Sequence, residues 1–132
     1  MLLKPVDDST LEPAPQAERW SRAATKARNM ILEAWDAYRE FAFGADTLMP
    51  ESRRGKDTFG GMGATVIDSL STLWLIGAHD RFTDARNFIA TEFSHRIQRS
   101  SRTHSVFELT IRGLAGLLSA HALSGDRIFL DK

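Results

Sequence analysis

Apolar residues return every third or fourth position over most of this chain, the spacing of helices with one buried face. The first run predicts a long helix over 16–43, with Trp20, Ala24, Ala27, Ile31, Trp35, Tyr38 and Ala42 on one stripe and Gly44 ending it. A second helix is predicted over 64–77. Val66, Ile67, Leu70, Leu73, Trp74 and Ile76 make it apolar around most of its circumference, so it needs neighbours on nearly all sides. A third begins near Asp80, read as its N-cap, and lines Phe82, Ala85, Phe88, Ile89, Phe93 and Ile97 along one face before a polar turn over 98–103. The fourth opens at Ser105, where Ser105 and Glu108 have capping-box spacing, and carries Ile111, Leu114, Ala115, Leu118 and Ala122 to a stop at Ser124-Gly125. Residues 126–132 read as the start of a fifth helix. No strand signal competes, so the pattern predicts an all-α chain of two helical hairpins plus that start. Identity between the hairpins is too low to establish a repeat.

The segments between the stripes are polar or glycine-rich. Residues 1–15 hold three of the four prolines and little periodicity, and read as a flexible N-terminal arm; their apolar run of two leucines is far short of the ~7–15 apolar residues of a signal peptide core. The stretch 46–63 reads as a loop: Pro50, a charged run through Asp57, then Gly60, Gly61 and Gly63. Those glycines suit tight or positive-φ backbone. They are not a phosphate-binding loop, because no Gly-Lys-Ser/Thr follows and no strand pattern precedes. Residues 61–78 are the most apolar segment, but Asp68 and several hydroxyl residues within them favour a buried helix over a membrane span.

Composition narrows the functional classes. Lysine plus arginine equals aspartate plus glutamate at 17 each, so no net field points to nucleic acid or an anionic membrane. The absence of cysteine excludes disulfides, thiolate metal sites and a cysteine nucleophile in this stretch.

Few side chains stand out chemically. Glu108 at the third helical position is commonly a cap, and a helix N-terminus with Arg112 at i+4 favours an ionised carboxylate, the reverse of what a general acid needs. Arg112 alone reads as half of an i,i+4 ion pair. Asp68, in an apolar helix, calls for a hydrogen-bonding partner, and Asp46 reads as a turn or cap residue. His104 and Glu108 also share i,i+4 spacing, but no third metal ligand lies nearby, so no metal ligand is assigned. Trp20, Trp35 and Trp74 read as core at helical spacing rather than as sugar platforms. The basic run Arg53-Arg54-Gly55-Lys56 reads as a solvated loop.

Three blocks are similar to the class I α-1,2-mannosidases, glycoside hydrolase family 47. The first is Ala34-Trp35-Asp36-Ala37-Tyr38 with Phe43-Gly44-Ala45-Asp46-Thr47-Leu48-Met49-Pro50, which resembles the family's Ala-Trp-x-x-Tyr helix followed by Gly-x-Asp-x-Leu-x-Pro. The second runs from Phe59-Gly60-Gly61-Met62-Gly63 through Val66-Ile67-Asp68-Ser69-Leu70-Ser71-Thr72-Leu73-Trp74. The third, long and the most specific, is Ser105-Val106-Phe107-Glu108-Leu109-Thr110-Ile111-Arg112 continuing through Gly116-Leu117-Leu118-Ser119-Ala120 to Gly125-Asp126. Departures are Ala45 for a usual histidine, Thr47 for an acidic residue, Ser71 for a second aspartate, and Ala115-Gly116 for a Gly-Gly pair; they bear on fine substrate contacts.

The resemblance implies an N-terminal portion of the family's catalytic domain over 16–132, and so a partial (αα)7 barrel. The apolar circumference of the second helix, and the end of the sequence at Lys132, agree with an incomplete wall. It also implies inverting hydrolysis of α-1,2-linked mannose on high-mannose N-glycans of glycoproteins, with Glu108 as the acid-side catalytic carboxylate and Arg112 lining the sugar site. Inversion needs two carboxyl groups about 6.5–9.5 Å apart, with a water activated on the far face. Calcium is implied as cofactor, its ligands expected beyond Lys132, and the secretory pathway (endoplasmic reticulum or Golgi) as the location, with an upstream membrane anchor that the sequence does not show. The 132 residues alone are expected to be inactive. A non-catalytic glycan-binding role in glycoprotein quality control on the same scaffold is the alternative.

Overall fold

The structure is a computed structural model that describes residues 14–99 and 104–132. The expected arm over 1–13 and the polar residues 100–103 lie outside the described residues. The chain divides into two compact units, Met1–Glu33 and Ala34–Lys132.

Helix α1 (Ala14–Ala42) belongs to the first unit as far as Glu33. There its side chains from residue 17 to 30 are exposed. Trp20, expected in the core, is 66% exposed in this structure. An i,i+4 pair, Arg22 to Glu18 at 3.2 Å, runs along the solvated side.

The second unit holds the core. Among the described residues, α1 is followed by α2 (Ala64–Leu75), α3 (His79–Phe88), α4 (Ser94–Arg99), α5 (Val106–Glu108), α6 (Ala115–Ser124) and a one-turn 3₁₀ helix (Arg127–Phe129). The π-helical stretch Ile89–Phe93 joins α3 to α4, and Leu109–Leu114 joins α5 to α6, so each pair forms one rod. The chain is therefore predominantly helical, as the periodicity predicted. The fifth helix is only the 3₁₀ turn, started by the Asp126 carboxylate accepting from Ile128 N at 3.0 Å.

Three sequence expectations change. A short antiparallel hairpin, β1 (Thr47–Met49) with β2 (Arg54–Lys56), occupies the stretch read as loop; its three-residue strands are too short for an alternating pattern to register. Arg53 turns it at φ 51° and lies over the Phe41 ring at 5.3 Å. Asp80 is not the N-cap of α3: the helix starts at His79, Ala78 holds the cap position without a side-chain bond, and Asp80 lies in the first turn. Gln98 belongs to α4 rather than to a turn.

Leu70, Leu73, Val66 and Ile67 of α2 are fully buried, packed by α3 and by α6. The last contact is close because residue 116 is glycine: a Cβ there would stand 2.6 Å from Ile67 Cγ2. Ile67 meets Gly116, Asp68 meets Arg112 and Ser71 meets Ser119, so α2 and the α5–α6 rod run in the same direction. Aromatic rings seal both ends. Trp35, Tyr38, Phe43 and Phe88 contact one another in series, and Trp74, Phe82 and Phe129 do the same, at centroid separations of 5.0–6.2 Å. Trp35 is buried in that core, as expected. The Tyr38 hydroxyl accepts from Gly44 N at 3.0 Å and donates to Ala45 O at 2.7 Å, and burial pushes its pKa up to about 12. Bidentate Arg81–Asp36 bonds of 2.8 and 2.7 Å tie the end of α1 to α3.

Candidate functional site

Glu108, Arg112 and Asp68 come together where α2 lies beside the α5–α6 rod. Ser105 starts that rod as expected, its hydroxyl accepting from Glu108 N at 3.4 Å. The reciprocal half of a capping box is not made. The Glu108 carboxylate turns instead along the helix to accept from Arg112 Nε at 2.7 Å. The π-helical stretch begins at the next residue and contains Arg112; such widened turns recur at functional sites.

Arg112 is the hub. Its Nη1 donates to the Asp68 carboxylate, which supplies the partner that Asp68 was expected to need, although Asp68 proves exposed rather than buried. Its guanidinium carbon lies 4.6 Å from the centroid of the Phe59 ring, within cation–π range. The Glu108 hydrogen bond above all, then the Asp68 charge, hold Arg112 above the ordinary arginine pKa, against the opposing effect of burial. All three charged groups remain partly open to solvent. The result is a ledge where a fixed guanidinium, two carboxylates and an aromatic ring converge, with donors and acceptors suited to a hydroxyl-rich ligand.

The same face continues one turn along α2. Ser71, which stands where the resemblance expects an aspartate, shares a hydrogen bond of 2.8 Å with Ser119 Oγ. Val106, Phe107, Ile111, Leu114 and Leu118 on the rod and Leu75 on α2 are exposed apolar side chains.

Asp46 is a cap of unusual reach. Its carboxylate accepts four backbone N–H bonds from the loop and first residue of α2, and its carbonyl accepts from Thr65. Arg96 reaches the same loop from α4, donating to Gly61 O at 3.4 Å and to Gly44 O at 2.7 Å while lying over the Phe88 ring. His104 does not join Glu108 to make a metal site. It lies against Gly60, where a Cβ would stand 2.4 Å from Nδ1, and both its ring nitrogens are enclosed without a hydrogen-bond partner.

Calcium needs several oxygen ligands converging on one point. Among the described residues no group of three or more His, Asp or Glu side chains could hold a metal ion, and the Glu108 and Asp68 carboxylates are turned onto Arg112. The donors among the described residues therefore do not fit that ion.

Sequence reasoning paired Glu108 with Arg112 and named Asp68 separately, and the structure joins all three. It missed Phe59 and Ser119 as neighbours of the group. Phe59 lies in a segment without periodicity, and Ser119 bears only on the unusual Ser71, so neither gave a signal of its own. Trp74 packs against His79 and Phe82, away from the ledge.

Comparison with known proteins bears on this geometry. The family model for glycosyl hydrolase family 47 matches residues 30–132. The chain is 40% identical over 123 residues to mannosyl-oligosaccharide 1,2-alpha-mannosidase MNS1 of Arabidopsis thaliana, covering 93% of the chain and 21% of that protein. It is 40% identical over 121 residues to the endoplasmic reticulum mannosyl-oligosaccharide 1,2-alpha-mannosidase of Rattus norvegicus, covering 92% of the chain and 17% of that protein. Against alpha-mannosidase I MNS4 of Arabidopsis thaliana it is 46% identical over 101 residues, 76% of the chain and 16% of the relative. The chain thus spans about a fifth of the length of the curated relatives it matches. With a family match over most of its residues, and with the three blocks of the ledge inside that match, the chain belongs to glycosyl hydrolase family 47.

Proposed function

We propose that this chain supplies one side of the active site of a mannosyl-oligosaccharide 1,2-α-mannosidase, which hydrolyses α-1,2-linked mannose on high-mannose N-glycans. The observation that carries the reading is the Glu108–Arg112–Asp68 array on a solvent-facing ledge between two helices of like direction. Glu108 is assigned by resemblance as the acid-side carboxylate; it acts on the leaving glycosidic oxygen once carboxylates supplied by the rest of the enzyme oppose the hold of Arg112, which also binds sugar hydroxyls. The second carboxylate and the calcium ion belong to other parts of the enzyme. Two helices running the same way with α3–α4 passing between them in sequence are what successive inner helices of an (αα)7 barrel require. The exposed apolar side chains of the rod and α2 would meet further helices of that barrel. Two relatives named as endoplasmic reticulum mannosyl-oligosaccharide 1,2-alpha-mannosidases support the substrate class and a location in the secretory pathway, endoplasmic reticulum or Golgi by the family resemblance.

The test is mannose release from an α-1,2-linked mannobiose by the polypeptide that carries these residues together with the remainder of the family domain. Glu108→Gln is expected to lower kcat by about a hundredfold or more, the usual contribution of a positioned general acid, with a smaller change in KM. The 132 residues alone are expected to release none. Wild-type turnover by Glu108→Gln refutes the assignment. Glycan binding with no hydrolysis by the wild-type polypeptide marks the non-catalytic role instead.

A further inference from the structure

One buried side chain shapes the loop that carries Phe59. Asp46 is 1% exposed. Its Oδ2 accepts from Phe59 N at 2.6 Å and Gly61 N at 2.8 Å, and its Oδ1 from Gly63 N at 2.9 Å and Ala64 N at 3.1 Å. The chain must wrap around the carboxylate to present these donors, and it does so through positive φ at Gly60, Gly61 and Gly63. Thr65 fixes the other end of the residue: its N–H and hydroxyl both donate to Asp46 O, at 3.2 and 2.6 Å. The shortest of the four carboxylate bonds is the one to Phe59, so the carboxylate sets where that residue leaves the loop.

Phe59 in turn bounds Arg112. The guanidinium is held by Glu108 through Nε and by Asp68 through Nη1, and its face rests on the Phe59 ring at 4.6 Å. The two carboxylates fix the edge of the guanidinium plane, and the ring fixes its face. A partly exposed arginine with both edges bound but no ring would keep freedom to swing about the Nε bond. The restraint therefore passes from Asp46 through the Phe59 backbone and ring to Arg112, and from Arg112 Nε to Glu108.

We propose that Asp46 is a positioning residue for the Glu108–Arg112 pair, acting through the Phe59 ring. The consequence for catalysis rests on the function proposed above; the coupling itself does not.

The experiment reads the solvent-exchange rate of Arg112 Hε, the proton of the bond to Glu108, by NMR on the 132-residue chain. Buried amides of Leu70 and Ala85 serve as reporters of global opening. Asp46→Asn turns one acceptor oxygen into a donor facing backbone N–H groups, and Phe59→Leu removes the ring. Each is expected to speed Arg112 Hε exchange about threefold or more while the Leu70 and Ala85 amides change less, the pattern of local rather than global opening. The double variant is expected to exchange no faster than the faster single one, and Phe59→Tyr to match the wild type. Should Asp46→Asn not fold, Asp46→Glu carries the same reading, because it keeps the charge but displaces the acceptors by one methylene.

Three results overturn the proposal: no acceleration in Phe59→Leu, equal acceleration of Hε and the core amides in the Asp46 variant, or additive effects in the double variant. Because mannose release is not the readout, such a result leaves the role of Glu108 standing. An active Glu108→Gln enzyme would sink that role and leave this coupling intact.

Discussion

Two glycines one turn apart on the same rod should respond to alanine with different signs, and the difference isolates the contact that brings the ledge together. A Cβ built on Gly116 stands 2.6 Å from Ile67 Cγ2 and 3.5 Å from Ile67 O. Ordinary carbon contacts are about 3.5–4.0 Å, so roughly an ångström must be absorbed. Ile67 is 1% exposed and has nowhere to move cheaply. Overpacking of this kind costs about 1–3 kcal/mol. Alanine returns about 0.8–1 kcal/mol over glycine in a helix, which leaves Gly116→Ala neutral to about 2 kcal/mol destabilised. At Gly113 the nearest atoms to a new Cβ are Leu109 Cδ2 at 3.7 Å and Phe93 Cζ at 3.9 Å, both ordinary contacts. Gly113→Ala therefore keeps the propensity gain without the clash, and should stabilise by up to about 1 kcal/mol. Subtracting one variant from the other cancels most of the backbone term and leaves an overpacking difference of about 1–3 kcal/mol. Urea unfolding followed by far-ultraviolet circular dichroism measures both. Ile67→Leu, which removes the offending Cγ2, should recover part of the loss when combined with Gly116→Ala. If Gly116→Ala is as stable as Gly113→Ala, the close approach of α2 and α6 is not what holds the two helices in register.

Two further outcomes follow from buried or paired groups. Tyr38→Phe removes the acceptor of the buried Gly44 N–H and the donor to Ala45 O. It should cost about 1–3 kcal/mol, the usual penalty for an orphaned buried polar group, in the same unfolding assay; a neutral result would mean that water replaces the hydroxyl. Arg86, donating to Asp126 at 2.7 Å, is the main cause holding that carboxyl below its ordinary 3.8, and Arg81 does the same for Asp36. A depressed folded-state pKa contributes stability in full above the unfolded value and loses it as pH falls through the folded one. Unfolding free energy should therefore drop as pH is lowered past 3.8, and Arg86→Met should flatten that acid limb by removing the Asp126 share. An acid limb unchanged in Arg86→Met would refute the assignment.

The helical stripes were legible because burial repeats with the period of the helix. Leu70, Leu73, Phe82 and Phe88 are buried where the stripes put them, but the stripe of the fourth helix is not: Ile111, Leu114, Ala115, Leu118 and Ala122 are exposed, and Leu117 and Ala120 are the residues buried there. What else escaped lacks that period. The hairpin has three residues a strand, and the α3 start is set by the backbone turn after Gly77 rather than by a polar side chain, so Asp80 looked like a cap without being one. Trp20 sits on the same stripe as Trp35 yet is exposed, because periodicity marks which face is apolar and says nothing of whether a neighbour covers it.

The site was half legible for a related reason. Local spacing made Glu108 a cap and Arg112 its i,i+4 partner, and both statements describe the structure in part: Ser105 does cap, and Arg112 does bind Glu108. Spacing could not show that Asp68, forty positions earlier, and Phe59 close on the same guanidinium, since those contacts depend on the approach of α2 to the rod and on a loop folded around Asp46. This changes the weight of the bland reading. An exposed i,i+4 pair is worth only about 0.2–0.5 kcal/mol and leaves both side chains mobile. A guanidinium fixed on two edges and one face is worth little more as stabilisation at a solvent-open site, because partial exposure screens its ion pairs. What the added contacts supply is orientation, and orientation matters where a proton must be delivered to one oxygen of a bound sugar. The loop folded around Asp46 caps α2 and, through Phe59, adds the third restraint on Arg112, an arrangement that fits the role proposed above for Glu108 and Arg112.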